Sequence, residues 1–263
     1  MRLHLAGIAP SLTLLALAAC ARAPSPLWPV HEGSIGVPHR GVLVGGAMLP
    51  RRTETIAWLR NDDRHWGLPR FVRAIEDASR AVAAERPGAV LVVGDLSLQH
   101  GGVLLPHLSH RTGRDVDLLL YMTTLEGAPV ESPGFIHVGE DGLAWDEGKG
   151  RFLRFDVARE WILVRELARR TEWRVQWIFA SHIVEGLLVE WARAKGEPTD
   201  IILRAMDLML EPKPGGAHDD HLHVRTACAP EEIATGCEPT GPARAWLEGP
   251  AQATDQGLAS LEP

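Results

Sequence analysis

The sequence predicts an α+β fold in which helices flank a small antiparallel sheet. Two observations carry this prediction. Apolar runs of strand length and stripes at helical spacing alternate irregularly along the chain. The runs that bear the chemically interesting motifs are short. The elements follow in chain order. Residues Val42 to Pro50 are glycine-rich and extended. Leu68 to Glu85 reads as a helix, with Phe71, Val72, Ile75, Ala78 and Val82 on one stripe, ended by Pro87-Gly88. Ala89 to Val93 is a short apolar run and reads as a buried strand. A glycine-containing loop spans Gly94 to Ser109, and Arg114 to Tyr121 reads as the next strand. Glu126 to Lys149 carries Gly, Pro, Asp and Glu throughout and reads as loop. Asp156 is placed to cap a helix through Arg170. Val175 to Ala180 reads as a strand. Ser181 is placed to cap a helix through Lys195, which Gly196 would end. Thr199 or Asp200 would cap a further helix up to Leu210, stopped by the run from Glu211 to Gly216. His221 to Arg225 is the last strand. No internal repeat and no low-complexity block interrupts this core.

Composition narrows the class. With 45% hydrophobic and 23% charged residues, the chain has the balance of a globular protein that can bury a core. Its net charge of -7 and lack of a basic stretch argue against nucleic acid as a partner. Nine Trp against one Tyr is lopsided. Indole rings stack on sugars, but core packing is the simpler account.

The N-terminus reads as an export signal over residues 1–19. Arg2 gives a basic start, and the apolar stretch from Leu12 to Ala19 is too short to span a membrane. Leu17-Ala18-Ala19-Cys20 resembles a bacterial lipobox, in which cleavage leaves the Cys to be acylated. Residues 20–33 then form a lipidated tether, Pro-, Ala- and Ser-rich from Ala21 to Pro29. The expected location is the periplasm, with the lipid in the outer membrane, since Ala21 does not suggest inner-membrane retention. Export leaves Cys228 and Cys237 in an oxidising compartment, where they are expected to pair.

The twelve His are uneven, and two clusters stand out: His107 and His110 ahead of Asp115-Val116-Asp117, and His218, His221 and His223. On a strand, His221 and His223 point to the same face. A loop-to-strand turn would bring His110 to Asp117, and with His223 this makes two nitrogens and one oxygen. That is a donor set for a catalytic Zn2+, which keeps three protein ligands and an open position. Asp115 shares a strand face with Asp117, and spacing alone does not choose between them.

These residues resemble a known family. Gly94-Asp95-Leu96, Gly101-Gly102 and His107-x-Ser109-His110-x-Thr112-Gly113-x-Asp115-Val116-Asp117 are similar to the first signature of the penicillin-insensitive murein endopeptidases. His218-x-x-His221-x-His223-Val224-Arg225, followed by a Cys, is similar to their second. Ser34-Ile35-Gly36 leading to Gly41, Gly45, Ala47, Leu49 and Pro50 resembles their N-terminal region, and Ile178-Phe179 before Ser181 is also similar. The family sits with D-Ala-D-Ala carboxypeptidases and lysostaphin-like enzymes in one group of zinc peptidases. The resemblance implies His110, Asp117 and His223 as zinc ligands, which selects Asp117 over Asp115. It implies His221 as general base or transition-state stabiliser, and His218 and His107 as further active-site histidines. It also implies a zinc peptidase domain over residues 34–240, while the tail over residues 241–263 reads as loose from its Ala, Pro and Gly content. The implied reaction is hydrolysis of the D-alanyl to meso-diaminopimelyl cross-link of peptidoglycan. The alternatives are a carboxypeptidase trimming stem peptides and a non-catalytic peptidoglycan-binding lipoprotein. Where many relatives carry a His after an Asp-Gly, this chain has Ala144, so a second metal at that position is not expected.

Overall fold

The computed structural model describes residues 32–212, 218–242 and 244–247. The signal, Cys20, nearly all of the tether, the Pro214-Gly215-Gly216 stop and most of the tail lie outside the described residues. The chain runs through β1 (Gly33–Val37), β2 (Arg40–Val44), β3 (Ala47–Met48), β4 (Ile56–Trp58), β5 (Trp66–Gly67), α1 (Pro69–Glu85) and β6 (Leu91–Val93). It continues through β7 (Asp115–Leu119), β8 (Met122–Thr123), β9 (Pro129–Val130), β10 (Leu143–Asp146), β11 (Arg151–Phe155) and α2 (Val157–Arg169). The last part holds β12 (Val175–Phe179), α3 (His182–Lys195), α4 (Thr199–Leu208), β13 (Met209–Leu210), β14 (His221–Thr226) and α5 (Pro230–Ala234). This is the α+β class expected.

The main sheet has six strands in the order β13-β12-β14-β7-β6-β4. Its four central strands pair antiparallel, while the outermost pairs, β12 with β13 and β4 with β6, are parallel. Helices α1, α3 and α4 all touch α2. The caps follow local chemistry. The Asp156 side chain accepts from the Arg159 N–H at 3.2 Å, and Ser181 Oγ accepts from the Val184 N–H at 3.2 Å. The predicted stripe of α1 is buried, joined by Ala74 and Ser79.

Three segments differ from the sequence expectation. The stretch from Glu126 to Lys149 contains strands β9 and β10 as well as loop. In β10 the inward positions are Ala144 and Asp146, and Asp146 meets Arg151 across the hairpin at 3.2 Å. A polar inward residue hides the strand alternation. Helix α4 begins after Pro198 with no side-chain cap, so neither Thr199 nor Asp200 serves as one. It ends at Leu208, because Met209 and Leu210 pair with Ile178 and Phe179 instead of continuing the helix. Helix α5 is absent from the sequence expectation; it opens on Pro230, with Glu232 accepting from the Ala229 N–H at 2.7 Å.

Cys228 and Cys237 form a disulfide, with Cα atoms 5.9 Å apart. The bridged loop is tied to the β1–β2 hairpin: Gly36 N–H donates to Gly236 O at 2.8 Å, and Glu238 N–H donates to Gly36 O at 3.1 Å. Arg114 completes the knot. Its guanidinium is fully buried and donates to Cys228 Sγ, Gly36 O and Glu238 O at 2.9, 3.3 and 3.2 Å. Among the described residues, no helix is long and apolar enough to cross a membrane.

Candidate metal centre

The site is built on two neighbouring antiparallel strands. In the register of β7 and β14, His223 stands opposite Asp117 and Arg225 opposite Asp115. Side chains alternate faces along a strand. Asp115, Asp117, His221, His223 and Arg225 therefore share one face. Val116, Leu118, Leu222 and Val224 take the other and enter the hydrophobic core. One strand pair thus anchors itself through its apolar face and presents the chemistry on its polar face.

His110 reaches that face from the loop before β7. Its φ of 61° lies in the left-handed region, which costs a non-glycine residue about 1–2 kcal/mol. Such strain persists only where surrounding contacts enforce it. Here the His110 Nδ1–H donates to Leu96 O at 2.6 Å. Gly94 brings the end of β6 close to the site: a Cβ there would stand 3.2 Å from both Asp117 Cβ and the Phe135 ring.

Three atoms converge. His110 Nε2 lies 3.2 Å from Asp117 Oδ1 and 3.4 Å from His223 Nδ1, and His223 Nδ1 lies 3.4 Å from Asp117 Oδ1. Ligands about 2.0–2.1 Å from a shared tetrahedral centre stand about 3.3–3.4 Å apart, so this triangle has the edges of a zinc site. Both Asp117 oxygens are buried and lack a hydrogen-bond partner. The Asp117 oxygens thus stand close to both imidazoles without an aligned hydrogen bond to either, as donors aimed at a common point do. The other nitrogen of each imidazole is engaged: His110 Nδ1 on Leu96 O, and His223 Nε2 on Asp115 Oδ1 at 2.8 Å. Those contacts turn a bare ring nitrogen toward the centre. The donor set therefore fits a zinc ion.

The remaining histidines surround the triangle. His221 Nε2 lies 3.4 Å from Asp117 Oδ1, and its Nδ1 is held by Asp220 Oδ1 at 2.5 Å. His107 Nε2 meets Asp95 Oδ2 at 2.7 Å and Asp117 Oδ2 at 3.7 Å. The His218 ring centroid stands 4.8 Å from that of His221 and 5.8 Å from that of His223. The six histidine and carboxylate side chains singled out by the two motifs are thus one cluster. The trios His107–His110–Asp117 and His218–His221–His223 also gather ligand atoms within 4.8 Å of one another. Each shares members with the tighter triangle, so they describe one centre. A third trio, His137, Asp219 and Asp220, stands at the rim. Asp219 meets His137 at 2.7 Å and Asp220 meets His221 at 2.5 Å, so both rim carboxylates hold histidines.

The electrostatics follow from burial against close countercharge. Burial alone would raise the Asp117 carboxyl, but the surrounding imidazoles, His110 foremost, hold it well below the usual carboxylate range. Burial also opposes the other shift to low values, that of Asp115, which Arg225 and His223 overcome. Burial pushes the His223 imidazole down to about 4 despite Asp115, leaving it neutral. For His221, burial is outweighed by Asp117 and Asp220, and the imidazole rises to about 9.

Some neighbours of the site carry no sequence signal. Arg60 and Arg64 both reach Asp95, each at 3.3 Å. Phe135 packs edge-on against His221 with ring centroids 5.1 Å apart. Lone residues in distant segments give sequence reasoning nothing to find. His65 is fully buried and stacked on Trp58 at 3.8 Å.

Residues 34–132 match the family model described as penicillin-insensitive murein endopeptidase. That span includes His107, His110 and Asp117 and stops before the motif at residues 218–223. Curated proteins with the same name are similar to this chain. Those of Escherichia coli O1:K1 / APEC and of E. coli strains SMS-3-5 / SECEC and S88 / ExPEC are each 38% identical over 96 residues. The similarity covers 36% of this chain and 35% of each relative. The chain thus spans about a third of the length of the curated relatives it matches.

Proposed function

We propose, because residues 34–132 match the penicillin-insensitive murein endopeptidase family model, that this chain is a zinc-dependent peptidase of that family that hydrolyses D-alanyl–meso-diaminopimelyl cross-links of peptidoglycan. The observation that carries the reading is the triangle of His110 Nε2, Asp117 Oδ1 and His223 Nδ1, with edges of 3.2, 3.4 and 3.4 Å. In this reading those three residues hold Zn2+. A bound zinc ion would supply Lewis-acid activation of the peptide carbonyl and of water. The protein supplies orientation and proton handling. Leu96 O and Asp115 fix which nitrogen His110 and His223 present. His221, held at Nδ1 by Asp220, keeps Nε2 at the centre, where its protonated form steadies developing negative charge and its neutral form takes a proton from water. His107, braced by Asp95, and His218, beside His221, position these groups. With no serine nucleophile in the scheme, β-lactams have nothing to acylate.

The reading extends to location. A lipid on Cys20 and the tether to residue 33 would hold the domain of residues 34–240 in the periplasm at the outer membrane, within reach of peptidoglycan. The C-terminal residues 241–263 are proposed to be a loose tail.

The test joins metal content to product analysis. Purified protein is expected to carry zinc near one equivalent and to convert cross-linked muropeptide dimers to monomers, read by mass spectrometry, with loss of cleavage on chelation. His110→Ala or His223→Ala should lose zinc and cleavage together. His221→Ala should keep zinc and lose about 10²–10⁴-fold in rate. Cleavage by a zinc-free His110→Ala protein would refute the assignment.

A further inference from the structure

From the arrangement around Asp95, we infer that Arg60 is the specificity residue that binds the free carboxylate beside the scissile amide. This rests on the murein endopeptidase reading, and it concerns a residue that lies outside both histidine motifs.

Asp95 is nearly fully buried, and its one carboxylate is met by two arginines and a histidine. His107 takes Oδ2 at 2.7 Å. Arg64 takes the same oxygen at 3.3 Å, and is further committed to Leu105 O at 2.9 Å and to Asp62 at 3.2 Å. Arg60 is the loosely held one. A single nitrogen, Nη1, reaches the two Asp95 oxygens at 3.3 and 3.5 Å. Nearly half of the Arg60 side chain is exposed (48%). If Arg60 turns away, Asp95 keeps His107 and Arg64, so no buried charge is stranded.

Position matches this availability. The Arg60 guanidinium carbon lies 5.6 Å from the centre of the Phe135 ring, and the Phe135 ring is edge-on to His221. A planar cation resting on an aromatic face keeps its in-plane donors for a ligand. Arg60 therefore presents a carboxylate-matching fork one aromatic ring away from His221. In the proposed substrate, the carbon bonded to the scissile nitrogen carries a free carboxylate. That anion has to be met somewhere at the rim, and the guanidinium fork suits it bidentately.

The experiment uses two cross-linked dimers that differ only in this group, one with the free carboxylate and one with its carboxamide. Arg60→Gln, with zinc content and thermal midpoint checked against wild type, should lose about tenfold or more in kcat/KM on the acid dimer. It should cut the amide dimer as wild type does. Calorimetric binding to chelator-treated protein should show the same selectivity, with wild type favouring the acid dimer and Arg60→Gln indifferent. Equal losses on both dimers, or no loss on either, would overturn the assignment while leaving the endopeptidase reading intact. If neither protein cleaves either dimer but the binding preference follows Arg60, the endopeptidase reading fails and the carboxylate site stands.

Discussion

Asp115 Oδ1 accepts from two donors at once, His223 Nε2 at 2.8 Å and Arg225 Nε at 2.6 Å. One carboxylate thereby fixes the tautomer and the tilt of an imidazole whose Nδ1 stands at the proposed metal position. The chemistry of such partners predicts an effect without direct metal contact. Asp115→Asn should weaken zinc binding about 10–100-fold, measured by competition with a chromophoric chelator, with little change in far-UV dichroism. Unchanged affinity would mean that the His223 orientation is set elsewhere. The same pair of aspartates marks the limit of local reading. Both lie on one strand face, so spacing left either free to be the ligand. What separates them in space is the register against β14, where His223 lies opposite Asp117 and Arg225 opposite Asp115. Register is a non-local property. The histidine motifs were legible because the residues of each are close in sequence, with His221 and His223 two apart on one strand. Arg60, Phe135 and the Leu96 carbonyl were not, because each is a single group brought in from another segment.

Elements with strong local grammar emerge where the sequence places them. Helix α3 has its Ser181 cap and its Gly196 stop, the latter at a φ of 72°, and α2 has its Asp156 cap. Elements decided by partners do not. Strand β13 takes the last two residues of an expected helix because a parallel edge was open beside β12. Strand β10 turns Asp146 inward toward Arg151. The disulfide loop belongs between these cases, since export chemistry predicted the bond but not its role. In the fold it clips the β1–β2 hairpin to the start of β7 through Arg114. Closing a loop of sequence separation 9 contributes about 2–3 kcal/mol by restricting the unfolded chain. Replacing both cysteines by serine should therefore lower the thermal midpoint by about 5–10 °C. Scanning calorimetry of the variant, and of wild type with and without reductant, checks this. Coincident midpoints for oxidised and reduced wild type would show that the bond adds nothing to the clip.

At the scale of the whole molecule, stability responds to pH through one carboxyl outside the histidine cluster. Glu160 lies in α2, fully buried, accepting from the Tyr121 N–H at 2.8 Å through Oε2, while Oε1 has no hydrogen-bond partner. Burial pushes its carboxyl from an ordinary 4.5 up to about 8, the Tyr121 N–H pulling it back and Asp156 adding to the rise. The sign follows from proton counting. Between these two values the folded state holds a proton on Glu160 that the unfolded state has released. Stability from this group is therefore full below pH 4.5, falls as pH rises toward about 8, and levels off above it. The span corresponds to at most about 5 kcal/mol, a large share of the about 5–15 kcal/mol by which domains are stable. Glu160→Gln keeps an acceptor for the Tyr121 N–H and removes the titration. The difference in unfolding free energy, variant minus wild type, should thus grow in the variant's favour from pH 5 to pH 9, as read from urea unfolding at several pH values. Every other titrating group is common to both proteins and cancels in that difference. A flat difference across the range would mean that Glu160 is ionised in the folded protein at neutral pH, with water or a shifted partner satisfying Oε1.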